Sequence, residues 1–285
     1  MSLVVKNTRD LISPDQFKLK LLCYADVGFG KTSFAAGSPN PLIAVADTGH
    51  MKGLLSAAYR GVNYVEPETY PEFELFCGDS IQTPNDTLVV DPLSTMCNRF
   101  IKDYALTTVT RKQGDTQKRS LGIAEMDDYQ VIQELTRRLM SRLLDVNKHV
   151  VVTAHVKEYQ PQVIDKFNSA NNKSERLGGP ELPGKLSNSI CGMFDVVIRG
   201  VKQSALRDPK DATSRYERRI WITESMEKFI AKNRIALPNS KGQTKSLFPP
   251  EVEYNLETGS GTWQWFYERA KAGYTEIYES LQKKQ

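Results

Sequence analysis

The chain has 285 residues, a formal net charge of +4 and a pI near 8.7, with 40% hydrophobic and 25% charged residues. That balance excludes a disordered chain, and so mild a basic excess does not by itself call for nucleic acid. The four cysteines, Cys23, Cys77, Cys97 and Cys191, lack metal or redox spacing, MSLVVKNTRD has no apolar signal core and no apolar run nears ~18 residues, so zinc, disulfide and membrane readings give way to a cytoplasmic protein with reduced thiols.

Residues 17–24, FKLKLLCY, alternate and then run apolar, as a buried parallel strand does. A turn containing Gly28 and Gly30 follows, and KTSFAAG predicts a short helix that ends near Gly37. PLIAVAD, 41–47, is a second strand that closes on an acid. A helix over 51–59, a strand at 62–65 and a helix beginning at 71–76 come next. DTLVVDP is a strand that ends at Asp91, and 94–106 continues it as a helix. The polar stretch 107–122 reads as a loop. Ile132, Leu135, Leu139, Leu143 and Val146 recur at helical spacing, and that helix feeds the strand HVVVTAH at 149–155. A second polar stretch, 157–185, is rich in Asn, Ser, Gly, Lys and Pro, and a structureless stretch of that length is usually a functional loop or disordered. A helix over 186–193 precedes FDVVIRG, RRIWIT and FIAKNRIALP, which read as strands joined by hairpins. An amphipathic helix over 263–281 ends the chain.

This alternation predicts an α/β fold: a mostly parallel central sheet flanked by helices, an antiparallel C-terminal extension, and ligands at the carboxyl ends of the strands. No internal repeat or composition break appears. The expected organisation is an arm at 1–16, a core at 17–250 and a helical extension at 251–285.

The turn reads ADVGFGKTSF. A phosphate loop has Gly, four residues, then Gly-Lys-Ser/Thr, and here Ala25 stands in the first glycine's place. The remaining chemistry is intact. Val27, Gly28, Phe29, Gly30, Lys31, Thr32 and Ser33 would present backbone amides to phosphate oxygens. Lys31 would reach the β- and γ-phosphates and Thr32 would hold Mg²⁺, so the expected ligands are ATP and Mg²⁺. Asp91 is the acid expected beside that Mg²⁺, and it also suits a helix N-cap before Pro92. Asp47 is either the carboxylate that orients or deprotonates water or a turn residue before Thr48 and Gly49, with Glu66 as a weaker competitor. His155, at a strand tip, is either a γ-phosphate contact or a structural histidine.

These residues resemble the RecA-like recombination ATPases, closest to compact bacteriophage versions linked to single-strand annealing. The likeness spans 17–238: VGFGKT is similar to their phosphate loop, TLVVDPLSTM to their acid-bearing strand, VVVTAH to their γ-phosphate-sensing strand and FIAKNRIALP to the stretch carrying two trans-acting cations. The resemblance implies that Lys232 and Arg234 complete a neighbouring subunit's site in a homo-oligomeric ring or filament. It places DNA-binding loops on the two polar stretches, with Arg111, Lys112, Lys118 and Arg119 in the first and Lys173, Arg176 and Lys185 in the second; Tyr159 and Phe167 could stack on bases. The implied function is ATP-dependent single-stranded-DNA binding in phage-type recombination or repair, in the cytoplasm of a bacterial host, with a single-strand-binding protein as a further partner. The alternatives are a nucleotide switch with little turnover and a helicase-type motor. Three departures stand out: Asp47 for the family's glutamate, His155 for its glutamine, and about 16 residues before the first strand where RecA has a longer arm.

Overall fold

The computed structural model describes residues 14–46, 58, 60–78, 83–108, 124, 126–157, 178–183, 185–208, 211, 213–225, 229–238 and 244–282. One sheet organises them. At its centre β1 (Lys20–Ala25) lies between β5 (His149–Ala154) and β8 (Val196–Leu206), all parallel. Beyond β5 come β4 (Thr87–Asp91), β2 (Pro41–Val45) and β3 (Asn63–Val65), also parallel. The runs LLCY, LVV and VVV are continuously apolar because these strands are covered on both faces.

The period of two sorts each strand between two cores. Leu22, Tyr24, Leu88, Val90, Val150 and Val152 face a helical layer built on α5 (Met126–Asp145), whose Ile132, Leu139, Met140 and Leu143 are buried there. Leu21, Cys23, Ala25, Val89, Val151 and Ile198 face the other, where α1 (Lys31–Ala35) contributes Phe34 and α7 (Trp263–Gln282) contributes Trp263, Phe266 and Ala270. On that second side His149 meets Trp263 and Tyr267 edge-on, with ring centroids 5.2 and 5.1 Å away. Its Nδ1 accepts a 3.0 Å bond from the Leu19 amide. Burial, then the nearby Lys18 and Lys20, lower its pKa to about 4.

Of the remaining helices, α2 (Tyr70–Phe76) precedes β4. The helix after β4 is not uniform: α3 (Leu93–Met96) passes through a π turn at Cys97–Ile101 into α4 (Lys102–Thr108). The short α6 (Leu186–Met193) leads into β8. The helix read at 51–59 falls, except for residue 58, outside the described residues.

The C-terminal strands are antiparallel, but not as consecutive hairpins. β9 (Arg215–Ile222) pairs with β8 over eight positions, Arg199 to Leu206, so both strands run well past the FDVVIRG and RRIWIT of the sequence reading. FIAKNRIALP splits. Its β10 (Lys232–Asn233) returns to β8 at Val196 and Val197, and its β11 (Ala236–Pro238) leaves to pair with β12 (Thr244–Ser246). The Asn233 side chain makes the break: Oδ1 accepts from the Ile235 amide at 3.0 Å and Nδ2 donates to Ser246 at 3.1 Å. The place beside β9 is taken by β13 (Glu251–Glu253), too short and acidic to read as a strand. A two-residue pair, β6 (Val156–Lys157) and β7 (Gly179–Pro180), stands at the carboxyl edge of the sheet after β5.

Candidate nucleotide site

The phosphate loop leaves the tip of β1. Gly28 (φ 75°) and Gly30 (φ 107°) occupy the left-handed region, where side-chain-bearing residues are strained. Ala25 ends β1 without a positive φ; among the described residues Asn40 is the only non-glycine that has one. The missing glycine therefore costs no backbone strain. Between the two glycines Phe29 turns inward and is fully buried, 4.4 Å from the Trp221 ring and 5.9 Å from that of Tyr254, while Val27 stays 78% exposed at the loop's tip. Room for Phe29 comes from Gly200 on β8, where an added Cβ would lie 2.8 Å from the Phe29 ring and 2.7 Å from the Ala25 Cβ. The loop is thus pinned to the sheet by its own variable residue.

Lys31 opens α1 with its side chain folded back, donating to the carbonyls of Ala25 (2.8 Å) and Asp26 (3.1 Å). Burial lowers its pKa, and Asp91 and Asp26 oppose that shift. Thr32 Oγ1 donates to Asp91 Oδ2 at 2.6 Å, and the other oxygen, Oδ1, accepts from the Thr153 hydroxyl. Asp91 sits on β4, one strand removed from β1; Thr153, on the intervening β5, bridges the gap. Sequence reasoning missed Thr153, because a threonine inside VVVTAH signals nothing until β5 is known to insert between the other two strands.

Ser94 Oγ, buried at the start of α3, accepts from the His155 amide at 3.0 Å, and the His155 carbonyl accepts from Glu181 N at 2.8 Å. His155 thus links the end of β5 to the residue after β7. At the neighbouring tip Ala46 N donates to the Asp91 carbonyl at 3.1 Å. Asp47 lies outside the described residues, as do Arg111, Lys112, Lys118, Arg119, Lys173 and Arg176; Lys185 is exposed just before α6.

Lys232 and Arg234 lie at the other end of the sheet. Arg234 N donates to the Asp195 carbonyl, five residues before Gly200, so roughly 16 Å of strand separates that point from the phosphate loop. The Lys232 ammonium donates to the carbonyls of Cys191 (3.3 Å), Gly192 (2.8 Å) and Phe194 (2.9 Å), and Arg234 Nη2 to that of Gly192 at 2.5 Å. Both cations cap the C-terminus of α6, where its exposed carbonyls favour positive charge. Burial, then Arg234, lowers the Lys232 pKa.

Two further cations, unforeseen in the sequence, border the loop. Arg219 Nη1 donates to the Phe29 carbonyl at 3.1 Å, and Lys202 Nζ lies 3.4 Å from where a Cβ on Gly28 would stand. The only sequence signal for them is polar alternation along the β8–β9 hairpin.

The hydroxyl of Thr32 and the carboxylate of Asp91 are hard oxygen donors that suit Mg²⁺, which takes few protein ligands beside substrate phosphates. A glycine cradle on the central strand, its lysine, and a hydroxyl–carboxylate pair reached from one strand away define a P-loop ATPase domain of RecA-like layout. Residues 18–235 match the AAA domain model AAA_24, and the chain belongs to that family. No curated protein matches it. Among solved structures it is similar to the KaiC-like protein PH0186 from Pyrococcus horikoshii OT3, at 13% identity over 84% of this chain and 85% of that one, with a TM-score of 0.42. It is also similar to the flagellar accessory protein FlaH from Methanocaldococcus jannaschii (10% identity, 84% and 85% covered, TM-score 0.37). A DnaB-like replicative helicase, described with its interactions with primase, gives 10% identity, 84% and 57% coverage and a TM-score of 0.41. Among the described residues no helix is long and apolar enough to cross a membrane.

Proposed function

We propose that this chain is an ATP hydrolase that binds single-stranded DNA in phage-type recombination or repair, in the cytoplasm of a bacterial host, with its sites shared between identical subunits. The observation that carries the hydrolase reading is the Thr32–Asp91–Thr153 constellation beneath the glycine cradle, with Lys31 waiting on two carbonyls of its own loop.

A triphosphate tail entering the loop supplies anionic oxygens in place of the Ala25 and Asp26 carbonyls, and Lys31 swings onto them. Thr32 and Asp91 hold Mg²⁺, which neutralises charge on the phosphates when bound. The Asp47 carboxylate orients a water for attack on the γ-phosphorus; the bond to the β–γ bridging oxygen breaks, and ADP and phosphate leave. His155 reads the γ-phosphate and passes its presence to β6 and Glu181.

The shared site is supported by the distance of Lys232 and Arg234 from their own phosphate loop, which is too great for them to serve it; to serve another subunit's they exchange the α6 carbonyls they cap for its phosphates. DNA binding is assigned to Arg111, Lys112, Lys118, Arg119, Lys173, Arg176 and Lys185, and a single-strand-binding protein is the partner that would present the strand.

The test is ATP turnover with and without single-stranded DNA. Turnover should rise with DNA and vanish in Lys31→Ala, and DNA affinity should fall steeply with salt as phosphate contacts release counterions. Unchanged turnover in Lys31→Ala would overturn the site. No DNA binding at low salt with a non-hydrolysable ATP analogue present would overturn the partner.

A further inference from the structure

The β8–β9 hairpin overhangs the phosphate loop. β1 stops at Ala25, opposite Gly200, whereas β8 continues through six more residues to Leu206, about 20 Å at the usual strand rise. Strand alternation puts Gly200, Lys202 and Ser204 on one face together with their cross-strand partners Trp221, Arg219 and Glu217. The first row of that face, Gly200 and Trp221, holds Phe29. The second row, Lys202 and Arg219, therefore stands beside the loop's glycines. Lys202 Nζ and Arg219 Nη1 each lie 3.4 Å from the Cβ position of Gly28 and Gly30, respectively. The third row supplies one carboxylate for both cations: Glu217 Oε1 is 3.1 Å from Arg219 Nε and Oε2 is 3.5 Å from Lys202 Nζ.

We propose that Lys202 is a phosphate-binding residue for a nucleoside triphosphate in the same chain's loop, and that Glu217 holds it as a surrogate anion until the nucleotide arrives. This rests on the ATP-binding reading of the loop. Arg219 is fixed twice, on the Phe29 carbonyl and on Glu217, and stays in place as an anchor. Lys202 has a flexible stem, and its pair with the half-exposed Glu217 is long. Exposed pairs of this kind are weak, so a polyphosphate a few ångströms away displaces the carboxylate. The exchange leaves no charge stranded, because Glu217 keeps Arg219.

The experiment is titration of the full chain with a fluorescent non-hydrolysable ATP analogue and Mg²⁺ at low salt. Lys202→Ala should weaken binding about tenfold, as loss of a charge-assisted contact does, and Lys202→Arg should restore most of it. Glu217→Gln should tighten binding by roughly threefold, and that gain should disappear in the Lys202→Ala background, because the carboxylate acts through the lysine. Gln203→Ala, on the opposite face of β8, should bind like wild type. Wild-type affinity in Lys202→Ala, or a Glu217→Gln gain that persists without the lysine, would overturn the proposal while leaving the loop assignment intact. A wild-type chain that binds no analogue would overturn both.

Discussion

Phe29 fills a position that the phosphate-loop pattern leaves open, yet it anchors the loop. Its ring is buried against Trp221 and Tyr254, and the glycine across from it on β8 is what lets it in. Gly200→Ala should therefore act on the nucleotide site from beneath. The added methyl meets two rigid neighbours, the Ala25 Cβ and the Phe29 ring, neither of which has space to retreat. Overpacking of this kind costs about 1–3 kcal/mol. A lowered thermal midpoint together with weakened ATP-analogue binding is expected, and Phe29→Leu in the same chain should recover part of both. Unaltered stability and affinity in Gly200→Ala would show that the loop does not depend on this contact. The same scale separates what could be read from the residues alone. Gly28, Gly30, Lys31, Thr32 and Asp91 carry their chemistry in their spacing and in the apolar runs before them. Thr153 and Gly200 look like ordinary strand residues until neighbouring strands are assigned, because their roles exist only across the sheet.

Among the elements, α7 packs its Trp263 and Tyr267 rings on a histidine that titrates. His149 Nδ1 must be unprotonated to accept from the Leu19 amide, and burial holds the ring's pKa at about 4 instead of 6.5. The unfolded chain then binds a proton that the folded chain refuses. Stability from this site is fully present above pH 6.5, falls as pH drops from 6.5 towards 4, and levels off below. Thermal unfolding followed across that window should show the decline. In His149→Gln the histidine part of the slope should vanish while stability at pH 8 drops by about 1–3 kcal/mol, if the buried amide loses its acceptor. An unchanged slope would assign the decline to other groups. The parallel strands were legible as unbroken apolar runs, and the long helices by their helical period. The C-terminal strands were not. Asn233 breaks FIAKNRIALP with two side-chain bonds, β13 is three residues with two glutamates, and the overhang of β8 and β9 lies largely outside FDVVIRG and RRIWIT, where polar residues interrupt the apolar runs. In each case pairing with a distant strand overrides what the local pattern favours.

At the scale of the whole molecule, the two ends of the sheet divide the chemistry. The phosphate loop, Asp91 and His155 gather at the carboxyl tips, while Lys232 and Arg234 sit at the far end against α6. If the proposed subunits stack tip to base, every site joins the cradle of one chain to the cations of the next. Two inactive variants should then rescue each other. Lys31→Ala has a dead cradle but intact cations, and Lys232→Ala combined with Arg234→Ala has the reverse. In a random equal mixture about a quarter of the interfaces pair an intact cradle with intact cations, so turnover should return to about a quarter of wild type. The cation variant also gives up contacts to the Cys191, Gly192 and Phe194 carbonyls, so a loss of folding has to be separated from a loss of catalysis. Sedimentation of the mixture does this. A mixture that assembles to wild-type size and recovers turnover places the cations in trans. One that assembles fully and stays inactive confines Lys232 and Arg234 to capping α6, and the source of the offsetting charge would then have to be sought in the chain's own site.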